Sequence, residues 1–482
     1  MTARLVRGTA TFIALAVVAV AVWLTTAGPA GPAFGRARAD RLQRDVVTQA
    51  RLDALREARR AGTLGRIGSI PLAPAAGWAG EQLFHPTADD WEPAIATDPN
   101  APFVYILVTR YGVSPPGCQG PCPNPSLVLR RSTDGGVTFG PDIFPCTCRG
   151  NQGMFDPIIE VVPNTGHVYA VWMNDFDVVF SKSTNNGVTW STPVATYGNV
   201  SWNDKPILAV SNDGQHVYVA WNGPTSGDAW VAQSHNAGAS FTQSKIINSN
   251  RYTYAFDGDV APDGTVYFTE SSISYTGPGS APEGLVEQRV IISRNQGASW
   301  ENRLIDSVEI GQACVATGCY ADFYIGHAAL SADVNGNLVF LYDGATSPGG
   351  QQRIWSRRST NAGVTWSART MLSSGSEHAT APAIESTGNG SVRAFYYQTS
   401  GGDHDAWNIW YRSSTDGGQT WGAAVDISDA TGGTAYKNAN GFLEVYGDYG
   451  EMAITNTGTS IAVFGEGASY SGPGGVWVNR QL

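Results

Sequence analysis

From about residue 91 onward the chain alternates between two kinds of short apolar run. The first kind opens on an acid or a turn residue. It reads Glu-Pro-Ala-Ile-Ala at 92–96, Asp-Pro-Ile-Ile-Glu at 156–160, Asp-Lys-Pro-Ile-Leu at 204–208 and Asp-Gly-Asp-Val-Ala at 257–261. The second kind follows one turn later and is richer in β-branched and aromatic residues: Val-Tyr-Ile-Leu at 104–107, Val-Tyr-Ala-Val-Trp at 168–172, Val-Tyr-Val-Ala-Trp at 217–221, Val-Tyr-Phe at 266–268. Three further pairs start at His327 and Leu338, at Ala381 and Val392, and at Tyr449 and Ile461. Runs of this kind around Asp-Gly and Asn-Gly type turns predict β-hairpins, seven in all. Helical periodicity is confined to the N-terminal side. There, Asp40 to Arg60 predicts an arginine-rich helix with Leu42, Val46, Leu52 and Leu55 as its apolar positions, read as a solvated spacer.

Between the hairpins an octapeptide recurs. Ser-Thr-Asp-Gly-Gly-Val-Thr-Phe at 132–139 returns in altered form from Ser183, Ser234, Ser293, Ser359 and Ser414, at steps of 51, 51, 59, 66 and 55 residues. A period in this range signals blades or a solenoid. Asp or Asn at the third position can bond backbone amides ahead of it, and glycine at the fifth supplies positive φ. The closing Trp or Phe gives each turn an apolar plug.

The pattern Ser-x-Asp/Asn-x-Gly-x-Thr/Ser-Trp/Phe resembles the Asp-box of the sialidase-like superfamily of β-propellers. That resemblance implies an all-β propeller. It says less about function, because the same box recurs in sialidases, other glycosidases, sorting receptors and assembly factors. There are seven hairpins but six boxes, and the last unit ends soon after Val-Trp-Val at 476–478. A strand around Glu81 to Phe84 would complete it and close the ring. The expected fold is therefore a seven-bladed β-propeller with a short N-terminal helix, and the six-bladed sialidase fold is the alternative the resemblance favours. The expected domains are 1–27 (signal peptide or membrane anchor), 28–79 (linker with the helix) and 80–482 (propeller). In such blades the boxes lie on one face, and the starts of the inner strands on the other.

Composition sharpens this picture. The chain has 57 Gly, 15 Trp, 19 Tyr and 17 Phe, suited to short strands with aromatic plugs. Residues 1–61 carry +6 while the whole chain carries −11, so the propeller is strongly acidic and unsuited to nucleic acid. Arg4 and Arg7 precede an apolar run from Phe12 to Leu24, which reads as an export signal, with a retained anchor as the alternative. The expectation is a secreted or surface-anchored monomer that meets the membrane only through its N-terminal segment.

Six cysteines in an exported chain suggest disulfides. Cys118 or Cys122 is expected to pair with Cys146 or Cys148, and Cys314 with Cys319; a zinc site is the alternative for the first four. The inner strands open repeatedly on acids: Glu92, Asp156, Asp204, Asp257, Asp259, Asp322 and Glu377, with Glu444, Asp448 and Glu451 near the last. Aromatics precede several of them, at Trp91, Phe155, Trp202 and Phe256. Converging carboxylates must be offset by a cation, a shared proton or hydrogen bonds to backbone amides. No cofactor is required; calcium is the candidate cation, with Asp156 and Asp204 as ligands. A carboxylate pair working on a sugar is the alternative.

Sialidases place an arginine where this chain has Glu92, and the region matching the second arginine of their clamp has Glu270 instead. Their tyrosine nucleophile is similar in position to Tyr449, and its activating acid would fall near Asp257 and Asp259. The resemblance thus implies catalytic candidates Tyr449, Asp257, Asp259 and Glu92, with Trp91, Asp156, Asp204, Glu270, His327 and Asp448 contacting substrate. The expected function is recognition or cleavage of an extracellular or envelope glycan, or other glycoconjugate, that need not be sialylated. A sialidase proper and a non-catalytic scaffold are the alternatives.

Overall fold

The structure, a computed structural model, describes residues 32–62, 73–118, 122–146, 153–223, 227–247, 251–275, 282–311, 326–388, 390–400, 403–428, 434–435, 437–438, 441–442, 447–467 and 474–482. The expected hairpins form seven antiparallel sheets arranged as blades around an axis, so the seven-bladed fold holds rather than the six-bladed alternative. The inner strands are Asp89–Thr97, Met154–Val161, Asp204–Val210, Tyr252–Val260, Ala328–Ala332, Ala379–Ser386 and Glu451–Ile454, each neighbouring the next and the last neighbouring the first. Blade 7 is completed by the N-terminal strand Gln82–Leu83, which pairs with Gly474–Arg480 in the register Leu83 to Trp477. In blade 1 the fourth strand is reduced to a single bridge between Leu129 and Ile143.

The repeated octapeptide shows why it recurs. In blade 1, Ser132 Oγ donates to Asp134 Oδ1 (2.7 Å) and accepts from Gly136 N (2.9 Å), while Asp134 accepts from both the backbone and the hydroxyl of Thr138. The backbone bonds recur in the later turns, and where Asn replaces Asp, at 185, 236, 295 and 361, its Nδ2 donates to the Thr or Ser hydroxyl instead of the side chain accepting from it. The fourth position has positive φ whether it is Gly135, Asn186, Ala237, Gln296 or Ala362, so a left-handed backbone does not by itself demand glycine there. The fifth position is different. A Cβ on Gly136 would lie 2.4 Å from Ile461 of blade 7, and one on Gly238 would lie 2.0 Å from Phe180 of blade 2. Each box glycine is where one blade's turn meets the preceding blade.

The N-terminal helix, Pro32–Ala61, is not a free spacer. Leu55 is buried, and Arg51 pairs with Asp89 at 3.1 Å while its guanidinium lies 3.8 Å from the Trp91 ring centre and 4.6 Å from that of Tyr111. The side chains of Leu42 and Val46 lie outside the described residues. Among the described residues no helix is long and apolar enough to cross a membrane.

The cysteine expectation needs correcting. Cys118 bonds Cys122 within one loop, their Cα atoms 6.0 Å apart, rather than bridging to the next loop. A turn of four residues already brings them within disulfide reach. Cys146 is buried in the core between blades 1 and 2, and Cys148, Cys314 and Cys319 lie outside the described residues.

Two substitutions in one turn separate backbone preference from packing. Gly135→Ala, with open space around it, should cost only the strain of its left-handed backbone, about 1–2 kcal/mol. Gly136→Ala adds a clash with Ile461 and should cost roughly 1–3 kcal/mol more. Chemical denaturation of both variants checks this, and equal effects would sink the packing explanation.

Candidate functional site

The inner strands open onto one end of a central cavity of about 180 Å³. Four of them begin with the same local device. Glu92, Asp156, Lys205 and Ala381 each precede a proline and each has positive φ, at 51°, 49°, 51° and 48°. The ladder to the second strand skips at each of these points. Such a bulge leaves a residue without a ladder partner, and proline there removes an amide that would otherwise be unsatisfied. Left-handed non-glycine residues cost of order 1–3 kcal/mol, so the surroundings must hold them. Asp156, Lys205 and Ala381 are thereby brought to the cavity wall.

Lys205 organises this mouth. Its Nζ lies 3.2 Å from Asp156 Oδ1 and 2.9 Å from Asp448 Oδ2. Glu92 stands beside them, its Oε2 accepting the Thr109 hydroxyl (2.6 Å) and the Asp156 amide (2.8 Å). Tyr449 completes the group, with its ring centre 5.7 Å from Lys205 Nζ. Burial acts to lower the Lys205 pKa, but Asp156, Asp448 and Glu92 outweigh it, and the ammonium is held well above its ordinary value. Burial, reinforced by Asp156 and Asp448, pushes Glu92 well above the usual carboxylate range. Burial, then Asp156 and Glu92, likewise raise Tyr449, so its phenol stays neutral. Two polar atoms in this group, Asp448 Oδ1 and Tyr449 Oη, are buried and have no hydrogen-bond partner.

Deeper along the axis lies a second set of carboxyls: Glu160, Asp257, Asp259, Glu385 and Glu451. Several bond the backbone of another inner strand. Glu451 accepts from Ile95 N (2.9 Å), Asp257 from Leu330 N (2.8 Å) and Asp259 from Ala332 N (2.7 Å). Burial pushes Asp257, Glu385 and Glu451 up to about 8 and Asp259 to about 6, with amide hydrogen bonds opposing it at each. Glu160 is raised by burial and then by Glu385 and Glu451.

On the same cavity wall, at the start of blade 5, His327 faces the buried Asp343. Its Nδ1 lies 3.4 Å from Asp343 Oδ2 and 3.4 Å from Thr380 Oγ1, while Thr380 Oγ1 donates to Asp343 Oδ2 at 2.5 Å. The Phe256 ring sits 5.0 Å away, and both rings line the cavity. A carboxylate beside Nδ1 favours a hydrogen on that nitrogen and leaves Nε2 facing the cavity side for chemistry.

Of the residues singled out from the sequence, Glu92, Asp156, Asp448 and Tyr449 are brought together, and Asp257 and His327 line the same cavity. Three are placed otherwise. Asp204 pairs opposite Asn222 in the ladder, and the next residue, Lys205, takes the bulge position. Trp91 is 3% exposed beneath Arg51 and does not line the cavity. Glu270 is buried one strand back, opposite Ala255, where burial raises it to about 8. Asp322 and Glu444 lie outside the described residues. Lys205, Glu160, Glu385 and Asp343 were missed. Aligning the repeat on Pro93, Pro157, Pro206 and Pro382 rather than on the acids would have found Lys205.

The expected calcium pair, Asp156 and Asp204, is not the set that converges. Glu92, Asp156 and Asp448 each offer an oxygen within 4.8 Å of the others. Lys205 Nζ already bonds two of these three residues, so the group does not fit a metal ion while the ammonium is there.

No family model matches the chain, and no curated protein does. Among solved structures it is similar to the Hadza microbial sialidase Hz136, with 14% identity and a TM-score of 0.41 over 82% of this chain and 65% of that one. It is also similar to a PL25 ulvan lyase, at 9% identity and a TM-score of 0.48 over 83% and 95% of the two chains. A third is the Penicillium chrysogenum α-L-arabinanase, at 14% and 0.43 over 73% and 99%. The chain thus spans just under two thirds of the length of the first of these. At these levels none of them transfers a residue role.

The deep carboxyls generate a pH dependence. Their folded pKa values lie above the ordinary one, so the folded state holds protons that the unfolded chain has already lost. Stability should therefore fall as pH rises from about 4.5 towards 8. Melting temperatures are expected to be higher at the acidic end of this window, and Glu385→Gln, which keeps the Ser386 amide bond, should flatten the slope. A wild-type slope of the opposite sign, or one unchanged by the substitution, would refute the burial of these groups.

Proposed function

We propose that this protein is an exported propeller that binds and cleaves an uncharged glycan at the mouth of its channel. One observation carries the reading. Asp448 Oδ1 and Tyr449 Oη are adjacent in sequence, belong to residues lining the cavity, and lack hydrogen-bond partners. Buried polar atoms in folded proteins are nearly always bonded, so an orphaned pair at a cavity points to a ligand. A carboxylate oxygen and a neutral phenol complement a sugar hydroxyl, which donates to the first and accepts from the second. Tyr254 and Phe256, also on the wall, offer apolar ring faces for the sugar's C–H groups.

Charge argues against an acidic sugar. Among the described residues lining the cavity there is no arginine, and Lys205 is already paired with two aspartates. A substrate carboxylate would meet like charge rather than a clamp. The resemblance to sialidases thus extends to the boxes and to a tyrosine opening the last inner strand, but not to sialic acid recognition. For cleavage, protonated His327, oriented by Asp343, gives a proton from Nε2 to the leaving glycosidic oxygen. Asp448 takes one from the water that attacks the sugar carbon. The basic flank and short apolar run at 12–24 support export.

Glycan-array binding and reporter hydrolysis test this. Asp448→Asn and Tyr449→Phe should each weaken binding of a neutral glycan about tenfold or more, as expected for losing a hydrogen bond to a buried group. Sialosides should be neither bound nor cleaved. Sialoside cleavage abolished by Tyr449→Phe would restore a plain sialidase, and neutral-glycan binding without turnover would support a non-catalytic scaffold.

A further inference from the structure

We propose that His216 and His235 form a site for a divalent transition metal, with copper(II) preferred, on the face of the ring opposite the channel mouth. The two residues flank the hairpin between the second and third strands of blade 3, where Val217 pairs with Ser234. They stand opposite each other one step beyond that pair. Their Nδ1 atoms face each other at 2.8 Å, with ring centres 5.0 Å apart. His216 is half-buried and His235 is exposed, so both are reachable from solvent.

The repeat makes the pair conspicuous. The second position of the octapeptide is threonine at 133, 184, 360 and 415, and arginine at 294; only blade 3 has histidine there. Its opposite position, just before the second strand, is Phe103, Thr265, Asn337 or Ser391 in other blades and His167 in blade 2. Two imidazoles meet in blade 3 alone, so neither the turn nor the blade requires them.

The separation of the two nitrogens also suits a shared ion. Two nitrogens bound at about 2.0–2.1 Å to one ion lie about 2.9 Å apart when cis at a right angle, and about 3.3 Å apart at the tetrahedral angle. The observed separation matches the first, which is the square-planar or tetragonal preference of copper(II) and nickel(II) rather than of zinc. Without a metal, one ring must carry its hydrogen on Nδ1 to bond the other. Binding moves that hydrogen to Nε2, and the two rings, which now point at each other, turn on their side-chain torsions until both Nδ1 lone pairs address the ion; the exposure of His235 leaves room for this. Asp213, in the adjoining turn, adds a nearby negative charge; its Oδ1 is occupied by Ser211 Oγ (2.6 Å) and Gln215 N (3.0 Å). Tyr218 packs against the His235 ring at 6.3 Å and brings no charge at neutral pH. Solvent fills the remaining coordination positions.

The test titrates the full chain, stripped with chelator, with copper(II), nickel(II) and zinc(II) separately at about pH 7.5, where imidazoles are neutral. Calorimetry should give a saturable copper site, tighter than the nickel and zinc ones, and the copper spectrum by electron paramagnetic resonance should show two imidazole nitrogens. His216→Ala and His235→Ala should each weaken copper about tenfold or more and leave one nitrogen fewer in the spectrum. His167→Ala, at the equivalent place in blade 2, should change nothing. Melting temperatures of the variants matching wild type would show that the fold is intact. Copper binding undiminished in either variant, or no saturable binding at all, would overturn the proposal.

Discussion

The inner strand of a propeller blade has a ladder partner on one side only. Its other edge faces the axis, where the next blade is a neighbour but not a paired strand. Backbone amides on that edge need acceptors, because a buried N–H left unbonded costs about as much as a lost hydrogen bond. Here carboxylates supply them across blades: Glu92 to Asp156 N, Glu451 to Ile95 N, Asp257 to Leu330 N, Asp259 to Ala332 N. The acids that the repeat places on the inner strands are thus first a way of joining seven sheets that cannot join through ladders. The character of the channel follows from that role. Carboxyls crowded on an enclosed axis are pushed towards their protonated forms, and the one place where several remain close to the cavity mouth is where a lysine has been inserted among them.

That lysine marks the limit of what could be read from the chain alone. Seven hairpins, six turns and the closing strand near residue 82 were all legible, because each rests on local composition and on a period. Side-chain direction was less legible. At the bulges two residues oppose one, so the residue that faces the axis is set by the proline and not by the nearest acid. Reading Asp204 in place of Lys205 is an error of one position, and in a strand one position reverses the face. It also reversed the sign of the charge at the centre of the site.

Long-range contacts were the other gap. Nothing in the composition of residues 40–60 says that Arg51 would be buried over Trp91, which removes that aromatic from the cavity wall. The pairing of Cys118 with Cys122 depends on how tightly one loop turns, and spacing alone permitted either partner. The box glycines were legible as turn residues, but their stricter constraint is the neighbouring blade, seen only when Ile461 and Phe180 are found against Gly136 and Gly238.

The ring is closed by residues near opposite ends of the chain, Leu83 beside Trp477. During synthesis the strand at 82–83 therefore waits, unpaired, until residues 474–480 have emerged. Until then the growing propeller is an open arc with a bare sheet edge at each end, the kind of surface on which chains stick to one another. Closure also carries the entropy of an almost full-length loop, which makes it a slow event compared with forming any single hairpin. A chain moved across a membrane from its N-terminus would deliver the waiting strand first and its partner last. For a chain handled in that way, maturation of the fold would wait on completion of transport, and a chain truncated anywhere before residue 474 would never lose its exposed edges.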